Sequence, residues 1–377
     1  MVYLDNAATT RPSLAVMEAV AHSMAEAYFN PSALYKPAVE VSKRLEAARK
    51  LIMDELQAQQ VIFTSGGTEA NNLAILGHTA RRRPGGKVLY SLGEHPSVKA
   101  ACEGLPTGFE ALGIPLEQDG RISLPAFEEM LDEKTALVCV MQVNNETGAI
   151  QPLKEIAALV KEKCPEAWLH VDGVQGFMRI QVRLREAGID SYALSGHKIH
   201  GPKGIGALAL SSRKSLKAQM LGGGQEAGLR SGTENTPGIA GLMAAVAGFP
   251  REHTMRELKQ GLYERLLERI PGLILNGPVP SAPFAADHIL NLAFPPVRAE
   301  TMLHALEGRG VFVSHGSACS SRKARHSETL KAMGASQAAL EGAIRFSLSP
   351  YTTEEDIETA VLACAEAYQA LQAFTRR

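Results

Sequence analysis

No surplus of either charge is present: 39 basic against 40 acidic residues leave a formal net charge of -1 over 377 residues, so no overall field draws in nucleic acid or an anionic membrane. The one dense basic run, Arg81-Arg82-Arg83, stands beside Pro84-Gly85-Gly86 and reads as a solvated helix end and turn. Long apolar runs are missing too. The most apolar stretch, residues 238–250, falls well short of the ~20 residues that span a bilayer. Met1-Val2-Tyr3-Leu4-Asp5-Asn6 has neither a charged leader nor an apolar run, which predicts no secretory signal and a cytoplasmic protein. The five cysteines are scattered, odd in number and without CxxC spacing, which argues against a disulfide framework and a zinc site. Neither the GxxxxGKS/T of a nucleotide loop nor a GxGxxG opening a helix occurs, so triphosphate and dinucleotide binding are disfavoured. There is no internal repeat and no low-complexity linker.

What is present is the balance of a globular protein, 45% hydrophobic and 21% charged, in a chain long enough for two or three domains. Short β-branched or apolar runs at 61–64, 87–90, 137–141, 168–171, 191–194 and 206–210 read as strands, and 39–57 and 153–163 as helices between them. That alternation predicts an α/β fold with a mostly parallel sheet covered by helices on both faces. After Pro250 the pattern changes. A charged helix over 255–270, strands near 272–275 and 289–294, a helix over 300–307 and a last helix after Thr353 predict a smaller α+β domain.

Open α/β sheets bind ligands beyond the carboxyl ends of their strands, and four such junctions hold polar groups. Thr64-Ser65-Gly66-Gly67-Thr68-Glu69-Ala70-Asn71-Asn72 offers backbone N–H groups and hydroxyls to a phosphate, or else Ser65 or Thr68 simply caps the helix that follows. His95, in Gly93-Glu94-His95-Pro96-Ser97, either stacks on a cofactor ring or caps the next helix. Asp172, ending the run His170-Val171-Asp172, suits the protonated ring nitrogen of pyridoxal phosphate, with Gln175 able to donate to the phenolic oxygen; the alternative is again a cap. Lys198, in Ser195-Gly196-His197-Lys198, is an imine-forming lysine or a solvated loop lysine, with Ser195 and His197 in reach of a phosphate. His197 and His200 lack a third ligand nearby, so no metal is expected. Cys139 and Cys364 sit in apolar or Ala-rich segments and read as core, whereas Cys319 lies among small, polar and basic residues that favour a thiolate. In order along the chain, these four junctions predict a pyridoxal phosphate site.

With Asn30-Pro31-Ser32, Asn144-Asn145-Glu146-Thr147-Gly148, Arg230-Ser231-Gly232-Thr233-Glu234-Asn235, Gly316-Ser317-Ala318-Cys319 and Arg345-Phe346-Ser347 added, the chain resembles a cysteine desulfurase of the class V aminotransferase group over essentially its whole length. The resemblance implies the pyridoxal phosphate fold of type I: a large domain with a seven-stranded, mostly parallel sheet over 16–254 and a small α+β domain over 255–377. The small domain is joined by residues 1–15 and carries the catalytic cysteine loop at about 314–330. It implies that Lys198 holds the cofactor and takes the α-proton of L-cysteine, that Asn145 and Arg345 orient the substrate, and that His95 handles a proton. Gly67, Thr68, His95, Asp172, Gln175, Ser195, His197 and Lys198 would bind the cofactor. Thr233 would reach the phosphate of the neighbouring subunit in an obligate homodimer. Cys319 would be the nucleophile that takes sulfur as a persulfide, leaving L-alanine, and passes it to an acceptor protein for iron–sulfur cluster assembly or thiolation. The related alternatives are a selenocysteine lyase or another enzyme of the same group. Two stretches depart from the pattern. Leu34-Tyr35-Lys36 stands where relatives often have a histidine, and residues 323–328 are more basic than the housekeeping version, which points to a dedicated acceptor such as a tRNA-thiolation enzyme.

Overall fold

The computed structural model describes residues 1–82, 84–212, 216–316 and 327–375, with backbone alone for 373–375. Cys319 and the basic residues 322–326 lie outside the described residues. Among those described, the strands are β1 (Val2–Tyr3), β2 (Gln60–Thr64), β3 (Lys87–Ser91), β4 (Glu110–Ile114), β5 (Thr135–Met141), β6 (Trp168–Asp172), β7 (Ser191–Ser195), β8 (Gly206–Leu210), β9 (Ile274–Leu275), β10 (Ile289–Ala293), β11 (Val311–Phe312) and β12 (Ala343–Ser347).

Seven of them form one sheet in the order β2-β8-β7-β6-β5-β3-β4. The pairs from β7 through β6, β5 and β3 to β4 are parallel, and β8 runs against both its neighbours. β6, β7 and β8 are buried along their whole length and β5 nearly so, as strands covered on both faces must be. Their side chains alternate between two cores. Val138, Val140, Leu169, Val171, Tyr192 and Leu194 face one cluster, and Leu137, Cys139, Trp168, Ala193 and Leu208 face the other. The helix Lys36–Leu56 covers the first face through Leu45, Ala48, Ile52 and Leu56, and the helix Gly67–Thr79 covers the second through Ala70, Leu73 and Ala74. The sheet bears out the mostly parallel reading. The one strand of this sheet not expected is β4, which lies at the sheet edge, is only partly buried and holds a glycine, so its apolar pattern is weak; β1, β11 and β12, outside this sheet, were not expected either.

The rest of the chain builds a second core. β12, β10 and β9 make a three-stranded antiparallel sheet, and β1 pairs in parallel with β11. Leu258, Leu262 and Leu266, four apart on the helix Met255–Arg269, present one apolar stripe to this core, which Val2 and Leu4 also join. Residues 5–13 then cross from this core to the large sheet. Asp5 bridges to Ser347, Thr10 N–H donates to the His197 carbonyl at 2.9 Å, and Ser13 N–H donates to the His200 carbonyl at 3.1 Å.

Candidate active site

β2, β3, β5, β6 and β7 end at the same edge of the large sheet, and the residues that follow them enclose a cavity of about 170 Å³. Gly67, Thr68, His95, Asn145, Asp172, Gln175, Ser195, His197, Lys198 and Arg345 all line it. Eleven of the twelve site residues named from the sequence are described, and ten of them converge here. Thr233 does not line the cavity and is exposed.

The helix Gly67–Thr79 points its first turn at the cavity. No side chain caps it, so its leading N–H groups stay available to an anion, and the cap reading of this turn fails. Gly67 is needed there because a Cβ would stand 2.6 Å from Val174 Cγ2. Ser195 and His197 also line the cavity, at the end of β7 and in the short 3-10 turn Gly196–Lys198, and Ser195 Cβ stands 3.8 Å from where a Cβ on Gly67 would be. Burial, with Lys198 and Lys203 nearby, lowers the His197 pKa to about 4. Its Nδ1 meets Thr9 Oγ1 at 3.2 Å.

Lys198 Nζ donates to the carbonyls of Ala7 at 2.5 Å and Ala8 at 2.7 Å. The strap of residues 5–13 therefore holds the amine at the cavity wall, and the solvated-loop alternative fails. Behind it, Arg179 Nη2 donates to the Lys198 carbonyl at 2.6 Å, and burial lowers the Arg179 pKa to about 10. Two residues on, His200 takes a left-handed φ of 63°, which few non-glycine residues adopt. Its N–H donates to Thr10 Oγ1 at 2.7 Å and its Nδ1 meets the Arg11 carbonyl at 2.9 Å.

Asp172, 5% exposed, accepts from Asn71 Nδ2 at 2.8 Å on one oxygen and from Val174 N–H at 3.0 Å on the other. The second contact is the turn-capping role; the first was not foreseen. His95 takes the capping role, its Nδ1 accepting from Ser97 N–H at 3.1 Å at the start of the helix Pro96–Glu103, and it also lines the cavity. Gln175 donates from Nε2 to the Ala7 carbonyl at 2.9 Å, while its buried Oε1 has no partner. Next to His95, burial and the Asp172 charge push the Glu94 carboxyl well above its usual range; one oxygen accepts from Met141 N–H at 2.5 Å and the other is orphaned.

Also lining the cavity, Arg345 on β12 is 1% exposed and donates to the Asn145 carbonyl and to Asp5 Oδ1, both at 2.8 Å. Its Nε is buried without a partner. The adjoining Glu146 accepts from Ser327 Oγ at 2.5 Å, where the chain re-enters the described structure. Burial raises its pKa, against the lowering effects of the Ser327 hydroxyl and Arg345. Asn71, Ser97, Glu146 and Arg179 are site-supporting residues the sequence reading missed. Asn71, Ser97 and Glu146 lay inside motifs already singled out, but nothing in their spacing shows what they touch.

An anion cup, a buried carboxylate, a lysine amine and a histidine lining one cavity fit a phosphorylated, cationic aromatic aldehyde. The orphaned Gln175 Oε1 and Arg345 Nε add unspent hydrogen-bonding capacity at the same cavity. This is the class that the comparisons with known proteins define: residues 2–360 match the aminotransferase class-V family, and the chain belongs to it. Within that family it is a pyridoxal-phosphate-dependent enzyme of the cysteine desulfurase kind. A cysteine desulfurase of Sinorhizobium fredii is 36% identical over 95% of this chain and 94% of its own length. A putative cysteine desulfurase of Bacillus subtilis is 37% identical over 98% and 99%. Among solved structures, a NifS-like protein superposes with a TM-score of 0.90 at 32% identity, covering 98% of this chain and all of that one. A protein solved in complex with cysteine, SspA, superposes with a TM-score of 0.83 at 32% identity, covering 94% of this chain and all of its own.

Proposed function

We propose that the cavity binds L-cysteine, removes its sulfur to Cys319 and releases L-alanine. The observation that carries this is the Lys198 amine held at one wall of a cavity that Asp172, His95 and Arg345 also line. Pyridoxal phosphate, when bound, supplies an electron sink for the negative charge left when the α-proton departs. The N–H groups of Gly67 and Thr68, with Ser195 and His197, would hold its phosphate. Asp172, set by Asn71 and Val174, would pair with its ring nitrogen, and Gln175 would face its phenolic oxygen.

Arg345 and Asn145 would take the substrate carboxylate; the unpartnered Arg345 Nε leaves one donor free for it. Lys198 would accept the α-proton once it no longer holds the cofactor. The Cys319 thiolate would then attack the substrate sulfur. A sulfur–sulfur bond forms, the carbon–sulfur bond breaks with its electron pair staying on carbon, and protonation of that carbon leads to alanine. The test is twofold. Lys198→Ala should abolish the visible absorbance of the bound cofactor. Cys319→Ala should keep that absorbance and make no persulfide; persulfide transfer by this variant would overturn the nucleophile assignment.

We further propose a homodimer in which Thr233 reaches the partner's phosphate. Tyr28, Leu34, Tyr35 and Leu221 are exposed apolar side chains, and Pro31 and Ser32 share a groove with Glu226, Ala227 and Glu234, so the two exposed segments are neighbours. A patch of this kind is what a second copy covers. Leu34→Asp should shift the sedimenting species from dimer to monomer. We read residues 16–254 as the large domain and 255–377, with 1–15, as the small one, which the two separate cores support. The free, buried thiols of Cys102, Cys139, Cys164 and Cys364 suit the cytoplasm; among the described residues no helix is long and apolar enough to cross a membrane. For the acceptor we propose a protein of thiolation or iron–sulfur assembly docking at the basic residues after Cys319, to be identified by which candidate discharges the trapped persulfide.

A further inference from the structure

Asp172 and His95 are joined by a chain of buried side chains, of which only Asn71 has a part in the steps above. Trp168 Nε1 donates to Ser191 Oγ at 2.7 Å, and Ser191 Oγ meets His170 Nδ1 at 2.9 Å. His170 Nε2 meets Asn71 Oδ1 at 3.0 Å. Asn71 Nδ2 reaches Asp172 Oδ2 at 2.8 Å and Ser97 Oγ at 2.9 Å. Ser97 Oγ meets His95 Nδ1 at 2.8 Å. From Trp168 to Asp172 every member is at most 5% exposed, so water does not substitute for a missing partner.

The two closed ends decide which atom carries each hydrogen. An indole N–H only donates, and a carboxylate only accepts. Asn71 must therefore turn its NH₂ to Asp172, since the flipped amide would set one oxygen against another. Both its hydrogens are then spent, on Asp172 and Ser97, and its carbonyl must accept from His170 Nε2–H. His170 carries no second hydrogen: burial lowers its pKa to about 3, outweighing the raising effect of the Ser191 backbone. Its Nδ1 accordingly accepts the Ser191 hydroxyl, whose oxygen takes the Trp168 N–H. On the other branch the Ser97 oxygen accepts from Asn71, so its hydrogen points at His95 Nδ1. That nitrogen also accepts Ser97 N–H at 3.1 Å. Filled by two donors, it holds no hydrogen, and the ring hydrogen of His95 sits on Nε2.

We propose that Asn71 and Ser97 are positioning residues that present His95 to the cavity as an Nε2–H hydrogen-bond donor, and that His95 stabilises negative charge on the bound substrate instead of acting as a base. Its one bare nitrogen faces Ser97, and loss of the Nε2 hydrogen would leave an imidazolate. The tautomer follows from the protein alone. What His95 donates to rests on the desulfurase reading, and Lys198 is left as the base.

The test is nitrogen NMR of protein carrying isotope-labelled histidine, with the His95 signals identified by their loss in His95→Gln. Holoenzyme and cofactor-stripped protein should both show His95 with hydrogen on Nε2 and a bare Nδ1. Ser97→Ala removes the hydroxyl donor and leaves only the backbone one. Its His95 signals should move toward a mixture of tautomers while kcat falls about fivefold, the worth of one hydrogen bond, and KM stays within about twofold. Ser97→Thr should restore both. A His95 with hydrogen on Nδ1 in the wild type overturns the proposal, as does a Ser97→Ala variant with unchanged tautomer and kcat. A wild type without the cofactor's visible band, or without alanine as product, would sink the desulfurase reading instead, and the tautomer would still decide this proposal.

Discussion

Burial keeps His170 uncharged through the range in which an exposed histidine titrates. Its pKa of about 3 lies below the ordinary 6.5, so the unfolded chain binds a proton that the folded one refuses. The stability this provides is complete above pH 6.5 and is lost as pH falls toward 3, at a rate that removes roughly 2–3 kcal/mol by about pH 4.5. Urea melts across that range should show the loss, and His170→Asn, which cannot titrate, should show a shallower acid limb. Glu94 has the opposite sign. Its pKa is raised well above 4.5 by burial and by Asp172, so its contribution is present below pH 4.5 and declines as pH rises and the unfolded chain ionises. Glu94→Gln, which keeps the shape without the charge, should gain stability on the wild type with increasing pH; parallel melting curves at all pH values would count against a buried neutral Glu94.

Single positions inside the elements carry the site's backbone. Gly173 follows Asp172 directly, and a Cβ there would stand 1.8 Å from Tyr192 Cζ. That ring cannot retreat, because its hydroxyl donates to Gln142 Oε1 at 2.6 Å within a buried pocket. Gly173→Ala should cost about 1–3 kcal/mol by overpacking and loosen Asp172, read as a lower melting temperature and weaker cofactor retention. On the small-domain side, Leu262 is fully buried in the stripe of the helix Met255–Arg269. Leu262→Ala should cost about 2–5 kcal/mol without moving the cofactor absorbance, since it touches the second core and not the cavity. A lost absorbance at unchanged stability would contradict the separation of the two cores.

At the scale of the molecule, the site exists because residues 5–13 join two cores that the chain otherwise builds far apart. Asp5 holds Arg345, Ala7 and Ala8 hold Lys198, and Thr10 holds the backbone of His197 and His200. Thr10 is 2% exposed. Thr10→Val keeps its volume and leaves the His200 N–H without an acceptor, a loss of about 1–3 kcal/mol. Faster release of pyridoxal phosphate should accompany it, measured by dilution of the holoenzyme; unchanged release would show that the strap does not position Lys198.

Much of this is legible in the sequence. The six runs read as large-sheet strands are strands, because strands covered on both faces need continuous apolar residues, and such runs stand out along the chain. The strand-end positions of His95, Asp172, Ser195 and Lys198 were legible for the same reason: a polar residue at the end of an apolar run has few places to be but the ligand edge. Edge strand β4 escaped because only its last residue, Ile114, is buried, so no apolar run marks it. The partners of those site residues could not be read at all. Asn71 reaches Asp172 across 101 positions and Arg345 reaches Asp5 across 340, and no periodicity or spacing encodes which distant side chain supplies a hydrogen. Residue types along the chain were enough for the α/β sheet, the cofactor and the strand-end residues of the cavity, whereas Asn145 and Arg345 came only from the family resemblance. The ring nitrogen on which His95 carries its hydrogen, and the wall against which Lys198 waits, were set by tertiary contact alone, since hydrogen-bond polarity belongs to a closed network and not to any one member of it.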